Sequence, residues 1–134
     1  MSDFSIEMSV RDYELDMQGI VNNSVYQNYL EHARHEFLHH HGIDFADLTE
    51  RGVILVVKSI AMDFKNSLKS KDKFKVQVET YKDGHLKLVF KQTIIRLSDN
   101  KVALSANVTG VCLVNNRLVK PETIPEINNF LDLQ

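Results

Sequence analysis

An α+β fold within one domain spanning residues 1–134 is predicted by three observations on the sequence. One amphipathic helix pattern stands near the N-terminus. Four long segments of strand character follow it between residues 53 and 114 and are separated by short turn sequences. Helix and strands are segregated along the chain instead of alternating, which argues against a βαβ repeat. A curved antiparallel sheet wrapped round one long central helix accommodates every element.

In chain order, Phe4, Ile6, Met8 and Val10 alternate with Ser5, Glu7 and Ser9, the pattern of a half-buried strand ending at Asp12. A polar loop, Tyr13 to Gly19, follows. Its glycine supplies a backbone shape or a close approach that a side chain would forbid. From Ser24 to His41 the apolar residues Val25, Tyr26, Tyr29, Leu30, Ala33, Phe37 and Leu38 recur at helical spacing. That stripe is wide enough to pack on a sheet. Asn22, Asn23 and Ser24 are helix-capping residues, and Gly42 suits the position just past the helix end. Glu31 and His35 are one turn apart and can pair.

Asp44 to Arg51 reads as a short helix closed by Gly52. Strands are predicted at Val53–Asn66, Lys73–Tyr81, His85–Leu97 and Lys101–Val114. Asp83-Gly84 signals a two-residue hairpin, Ser98-Asp99-Asn100 a turn, and Asn115-Asn116 a last turn or bend. Thr123 to Leu133 reads as a closing helix with Pro125 in its first turn.

Composition narrows the function classes. The chain is 43% apolar and 25% charged with a formal net charge of −2, ordinary for a globular domain and contrary to general nucleic-acid binding. Its longest apolar run, Val53 to Val57, cannot span a bilayer. MSDFSIEM has neither the basic region nor the apolar stretch of a signal peptide. The single cysteine, Cys112, excludes an internal disulfide, so a cytoplasmic location is expected.

The site candidates gather round the helix start. Asp16 is a carboxylate fixed a few residues before a ring of unpaired backbone N–H donors. A base or nucleophile next to an oxyanion site suits hydrolysis at a carbonyl. Tyr26 and Tyr29 read as core or pocket wall. Lys65, Lys69, Lys71, Lys73 and Lys75 crowd one span with only Asp72 opposing them, a solvated edge or a docking patch for phosphates. His32, His35 and His39 share a helix face, but no cysteine joins them and the H-E-x-x-H pattern is absent, so no metal is expected.

The run Tyr13-Glu14-x-Asp16-x-x-Gly19-x-Val21-Asn22-Asn23-x-x-Tyr26-x-x-Tyr29, continuing to Glu31, Arg34 and Glu36, resembles the signature of hotdog-fold acyl-CoA thioesterases. More narrowly, it is similar to the 4-hydroxybenzoyl-CoA thioesterase family, in the branch of 1,4-dihydroxy-2-naphthoyl-CoA thioesterases and plant acyl-lipid thioesterases. The resemblance implies that Asp16 is catalytic and that the Asn23 backbone N–H polarises the thioester carbonyl. It also implies a homodimer with sheets joined edge to edge, commonly paired into a homotetramer, with active sites at the subunit interface. Gly19, Asn22, Tyr26, Lys65, Lys69 and Lys71 are then the substrate-binding candidates. Coenzyme A enters as part of the substrate and product, and no separate cofactor is expected. The partner is an acyl-CoA or acyl-carrier-protein thioester. Glu14, two positions from Asp16, is expected to face solvent or pair with a base. Other enzymes of this fold that hydrate acyl thioesters use a histidine near the helix, and this chain has none before His32. A non-catalytic thioester-binding module is the remaining alternative.

Overall fold

The computed structural model describes residues 4–131. The last residues of the expected closing helix, Asp132 and Leu133, lie outside that range. The chain forms β1 (Ser5–Ser9), α1 (Asn23–His40), α2 (Phe45–Glu50), β2 (Val53–Phe64), β3 (Lys73–Asp83), β4 (Lys87–Arg96), β5 (Lys101–Val114), β6 (Arg117–Val119) and α3 (Pro125–Leu131). All strand pairs are antiparallel, in the order β1-β3-β4-β5-β2, with β6 also on β5.

This topology places the helix. β1 and β2 sit at opposite edges of the sheet, so the chain between them must cross its face, and α1 makes that crossing. Tyr26, Tyr29, Leu30, Ala33, Phe37 and Leu38 bury the predicted stripe against Phe74, Val76 and Val78 of β3, Phe90 and Ile94 of β4, and Leu104 and Val108 of β5. The expected arrangement of a long helix inside a curved antiparallel sheet is therefore the one adopted. α3 closes the far end, its Phe130 ring lying 5.3 Å from Phe37.

Several local expectations are corrected. Asp83 pairs with Lys87, so the β3–β4 connection has three loop residues, Gly84 to Leu86, and not two. The turn expected at Asn115-Asn116 is present: both adopt positive φ, 50° and 67°, and form a two-residue hairpin. That hairpin leads into β6, a strand too short to show a period. The histidine on α1 that meets a carboxylate one turn away is His32, 3.7 Å from Glu36, while the His35 ring lies 5.3 Å from Phe45. Asn22 is the N-cap, its side chain accepting from Ser24 N–H at 3.1 Å, and Asn23 is the first helical residue.

The loop ahead of α1 is tied to the helix by a buried carboxyl group. Glu14, expected at the surface, is only 8% exposed. Its Oε1 accepts from Tyr29 Oη at 2.7 Å and from Arg11 N–H at 2.8 Å. Burial, and after it the Glu14 carboxyl, push the Tyr29 phenol well above its usual pKa, so it remains a donor. Glu14 C=O also accepts from Asn22 N–H at 3.0 Å, which sets the entry into α1. Replacing Tyr29 by Phe removes a hydrogen bond to a buried acid and is expected to cost about 1.5–3 kcal/mol. Urea unfolding of the two proteins measures it, and an unchanged midpoint would show that Glu14 has found another donor.

Candidate active site

Asp16 begins a tight turn. Its N–H donates to Ile20 C=O at 2.8 Å, and its C=O accepts from Gly19 N–H at 3.1 Å. Asp16 Oδ1 accepts from Gln18 N–H at 2.8 Å and from Ile20 N–H at 3.3 Å. Those two donors fix the half-buried carboxylate, and Oδ2 has no donor among the described residues. Gly19 takes φ +80° with open space where a Cβ would sit, so the turn needs glycine for its backbone shape and not for a close approach.

At the start of α1, Asn22 satisfies the Ser24 N–H, and Asn22 C=O accepts from Val25 N–H at 2.9 Å. The Asn23 N–H has no acceptor among the described residues. A free N–H at the positive end of an 18-residue helix is a ready donor to an anionic oxygen.

The wall facing this donor comes from residues 65–72, the connection by which the chain returns across the sheet from β2 to β3. It is pinned at several points. Lys65 and Asn66 N–H donate to Ala103 C=O at 2.8 and 3.1 Å, and Arg96 Nη1 donates to Ser67 C=O at 2.7 Å. Leu68 N–H donates to Tyr26 Oη at 3.2 Å, and Leu68 C=O accepts from Val21 N–H at 2.9 Å. Arg96 also holds Asp99, keeping that carboxyl well below its usual range, at about 2.

A depression of about 150 Å³ results, bordered by Ile20, Val21, Asn23, Tyr26, Phe64 and Lys65 among others. The structure thus brings Asn23, Tyr26 and Lys65 together, and joins Asp16 to the border through Ile20. Tyr26 is 3% exposed, with its hydroxyl engaged by Leu68, and burial raises its pKa. Lys69 stands opposite Ile20 in an isolated β-bridge. Lys71 lies further along at φ 65° and does not border the depression. Lys65 has a second acid that the sequence reading omitted, Asp63 at 3.3 Å. Among the described residues, no group of three or more His, Cys, Asp or Glu side chains is placed to hold a metal ion. No helix among them is long and apolar enough to cross a membrane.

A second cavity, of about 170 Å³, lies between the middle of α1 and the β2–β5–β4 part of the sheet. Sequence reading assigned no role to the residue that dominates it, Arg34, or to its partner Gln92. Arg34 is only 8% exposed, and its Nη1 donates to Gln92 Oε1 at 3.1 Å. Gln92 is fully buried and donates in turn to Leu30 C=O at 2.9 Å. An arginine at position 34 falls within the apolar stripe bounded by Leu30, Ala33, Phe37 and Leu38. That interruption was the available signal.

Residues 10–131 match the thioesterase-like superfamily. A chloroplastic acyl-acyl carrier protein thioesterase of Arabidopsis thaliana, ATL3, is 38% identical over 126 residues, covering 93% of this chain and 65% of that protein. The acyl-CoA thioester hydrolase YbgC of Escherichia coli is 28% identical over 113 residues, 84% of this chain and 83% of YbgC. A hypothetical protein from Aquifex aeolicus superposes with a TM-score of 0.82 at 26% identity, over 92% of this chain and 98% of that one. The DHNA-CoA thioesterase of Staphylococcus aureus superposes with a TM-score of 0.83 over 96% of this chain and 88% of that one, at 21% identity, a likeness of fold. The chain spans slightly less than two thirds of the two Arabidopsis proteins it matches, 65% and 63% of their lengths. Because the family match runs through the sheet as well as the Asp16 loop, the chain belongs to the thioesterase-like superfamily and has its hotdog fold.

Proposed function

We propose that this protein hydrolyses an acyl thioester to the free acid and a thiol. The observation that carries this is the pairing of a fixed carboxylate with an unused helix N-terminal donor: Asp16 has one free oxygen and Asn23 one free N–H, on either side of Ile20 and Val21. The thioester carbonyl oxygen accepts from Asn23 N–H, which stabilises the negative charge of the tetrahedral intermediate by about 3 kcal/mol. Asp16 acts in one of two ways. It attacks the carbonyl carbon, expelling thiolate and leaving a mixed anhydride that water cleaves, or it takes a proton from the water that attacks. Thiolate is a good leaving group, so neither route needs a Ser-His-Asp triad.

The carrier is coenzyme A or acyl carrier protein; the likeness to ATL3 supports the second. Both present a phosphate-bearing arm. Lys65 borders the depression and Lys69 faces Ile20, so we assign them, with Lys71, to steering that arm. Gly19 and Asn22 shape the approach through their backbone. The buried Cys112, whose thiol burial raises to about 11, is kept out of the chemistry.

The functional unit is a homodimer formed along β2. This edge strand is 12 residues long, with one side unpaired, and it exposes Ile54, Val56, Val57, Ile60 and Phe64. An unprotected apolar edge of that length invites pairing with a second copy. Antiparallel pairing about a two-fold axis brings the Phe64 end of one strand beside the Val53 end of its partner. Dimers then pair into a tetramer.

Asp16→Asn keeps the loop's hydrogen bonds to Gln18 and Ile20 but removes the charge. It is expected to lower kcat at least ~10²-fold in a thiol-release assay while leaving the melting temperature within a few degrees. Activity within a few-fold of wild type would remove Asp16 from the chemistry. Light scattering at micromolar concentration is expected to give a dimer or tetramer, and a monomer alone would sink the β2 interface. Neutralising Lys65, Lys69 and Lys71 together is expected to raise KM and flatten its salt dependence with kcat little changed. Identical salt curves would return these lysines to a solvated edge.

A further inference from the structure

The Arg34 cavity has walls unlike those of the depression at Asn23. Leu38, Leu55, Leu88, Phe90 and Val108 line it, and Gly110 adds no side chain to its floor. Its volume, about 170 Å³, is that of a space that accepts a ring or a short acyl segment; an apolar cavity near 150 Å³ takes benzene. Into this apolar space the sequence places an arginine that is more than nine-tenths buried. No carboxylate lies within ion-pairing distance of it among the described residues. Its one hydrogen bond goes to a neutral amide, Gln92, which is itself held by α1. The guanidinium is thus fixed in orientation, and its remaining N–H groups have no acceptor in the described chain. Those N–H groups keep contact with solvent, so an acceptor that enters the cavity can take the place of water on them.

We propose that Arg34 reads the acyl group. The acyl portion of the thioester occupies this cavity, and a neutral oxygen on it, hydroxyl or carbonyl, accepts from the free guanidinium N–H groups. This role rests on the thioester-hydrolase reading and on the β2 dimer. Along α1, Arg34 lies about 16 Å beyond Asn23, too far for a ring-sized acyl group bound to the same protomer's donor. In the two-fold dimer, the end of β2 beside Arg34 adjoins the partner's helix N-terminus, so one protomer supplies the chemistry and the other the acyl cavity. Charge favours a neutral oxygen over a carboxylate. Glu31 stands on the same rim, and its carboxylate repels a second one brought in on the acyl group. His35 also borders it, against Phe45 at 5.3 Å.

The test compares kcat/KM for matched coenzyme A esters: 4-hydroxybenzoyl against benzoyl, 5-oxohexanoyl against hexanoyl, and adipyl for the carboxylate. Wild type is expected to favour the oxygenated member of at least one neutral pair by ~10-fold or more, as for a site built to hydrogen-bond its substrate. Arg34→Met is expected to bring that ratio to within about twofold of one, with Arg34→Lys between them. A wild-type ratio near one overturns the proposal whether or not the Met variant folds. A ratio retained by a folded Arg34→Met protein also overturns it. Preference for the adipyl ester over 5-oxohexanoyl overturns the choice of a neutral oxygen. If wild type releases no thiol from any of the five acyl groups, carried on coenzyme A or on acyl carrier protein, the hydrolase reading has failed, and calorimetric binding of the free acids isolates the cavity. Tighter binding of 4-hydroxybenzoate than of benzoate, lost in Arg34→Met, supports the role of Arg34, and equal binding refutes it.

Discussion

The structure depends on one constraint: the apolar stripe of α1 is too wide for a single neighbouring helix and must be covered by a sheet. Only a sheet that curves round the helix reaches Tyr26 and Tyr29 at one end and Phe37 and Leu38 at the other. The topology meets this by putting β1 and β2 at opposite edges, so that α1 crosses the concave face and the return connection, residues 65–72, crosses back near the helix N-terminus. The candidate site lies where those two crossings meet. Its position follows from how the core is closed.

Precision at that site comes from polar groups withdrawn into the interior. Glu14 binds the Asp16 loop to Tyr29, and Tyr26 binds the return connection through Leu68. Both tyrosines belong to the buried stripe, so the same side chains that seal the core set the spacing between the carboxylate and the opposing wall. This leaves Asn23 N–H open while Asn22 caps the helix beside it. A helix start capped at Ser24 but not at Asn23 is stable and still has a donor to offer.

The β2 side of the molecule obeys a different logic. There the helix leaves the inner face of the edge strand uncovered at Val57 and Ile60 and meets Phe64 only through the Tyr26 ring at 5.5 Å, and the only cation placed deep in the apolar interior, among the described residues, is Arg34. Bulging of β2 between Val57 and Ser59 and the bare Gly110 on β5 open space just where that guanidinium sits. One end of the uncovered face thus meets the helix N-terminus, and the other meets a cavity with its own polar group.

Local physics determined much of this protein from the sequence alone. The 3.6-residue period fixed α1 to within a residue at each end, the alternation in Lys73–Tyr81 marked a strand that runs on to Asp83, turn residues bounded Lys101–Val114, and Asp16 stood a few residues before a helix start. These features are legible because each depends on residues a few positions apart. The three-residue β3–β4 loop and the short β6 were not, because register and partner decide them. Nor were the buried charges. Glu14 is held by a residue 15 positions away, and Arg34 by one 58 positions away. A charged side chain enters the interior only where a partner distant in sequence can meet its hydrogen bonds, and that meeting is made by the tertiary fold.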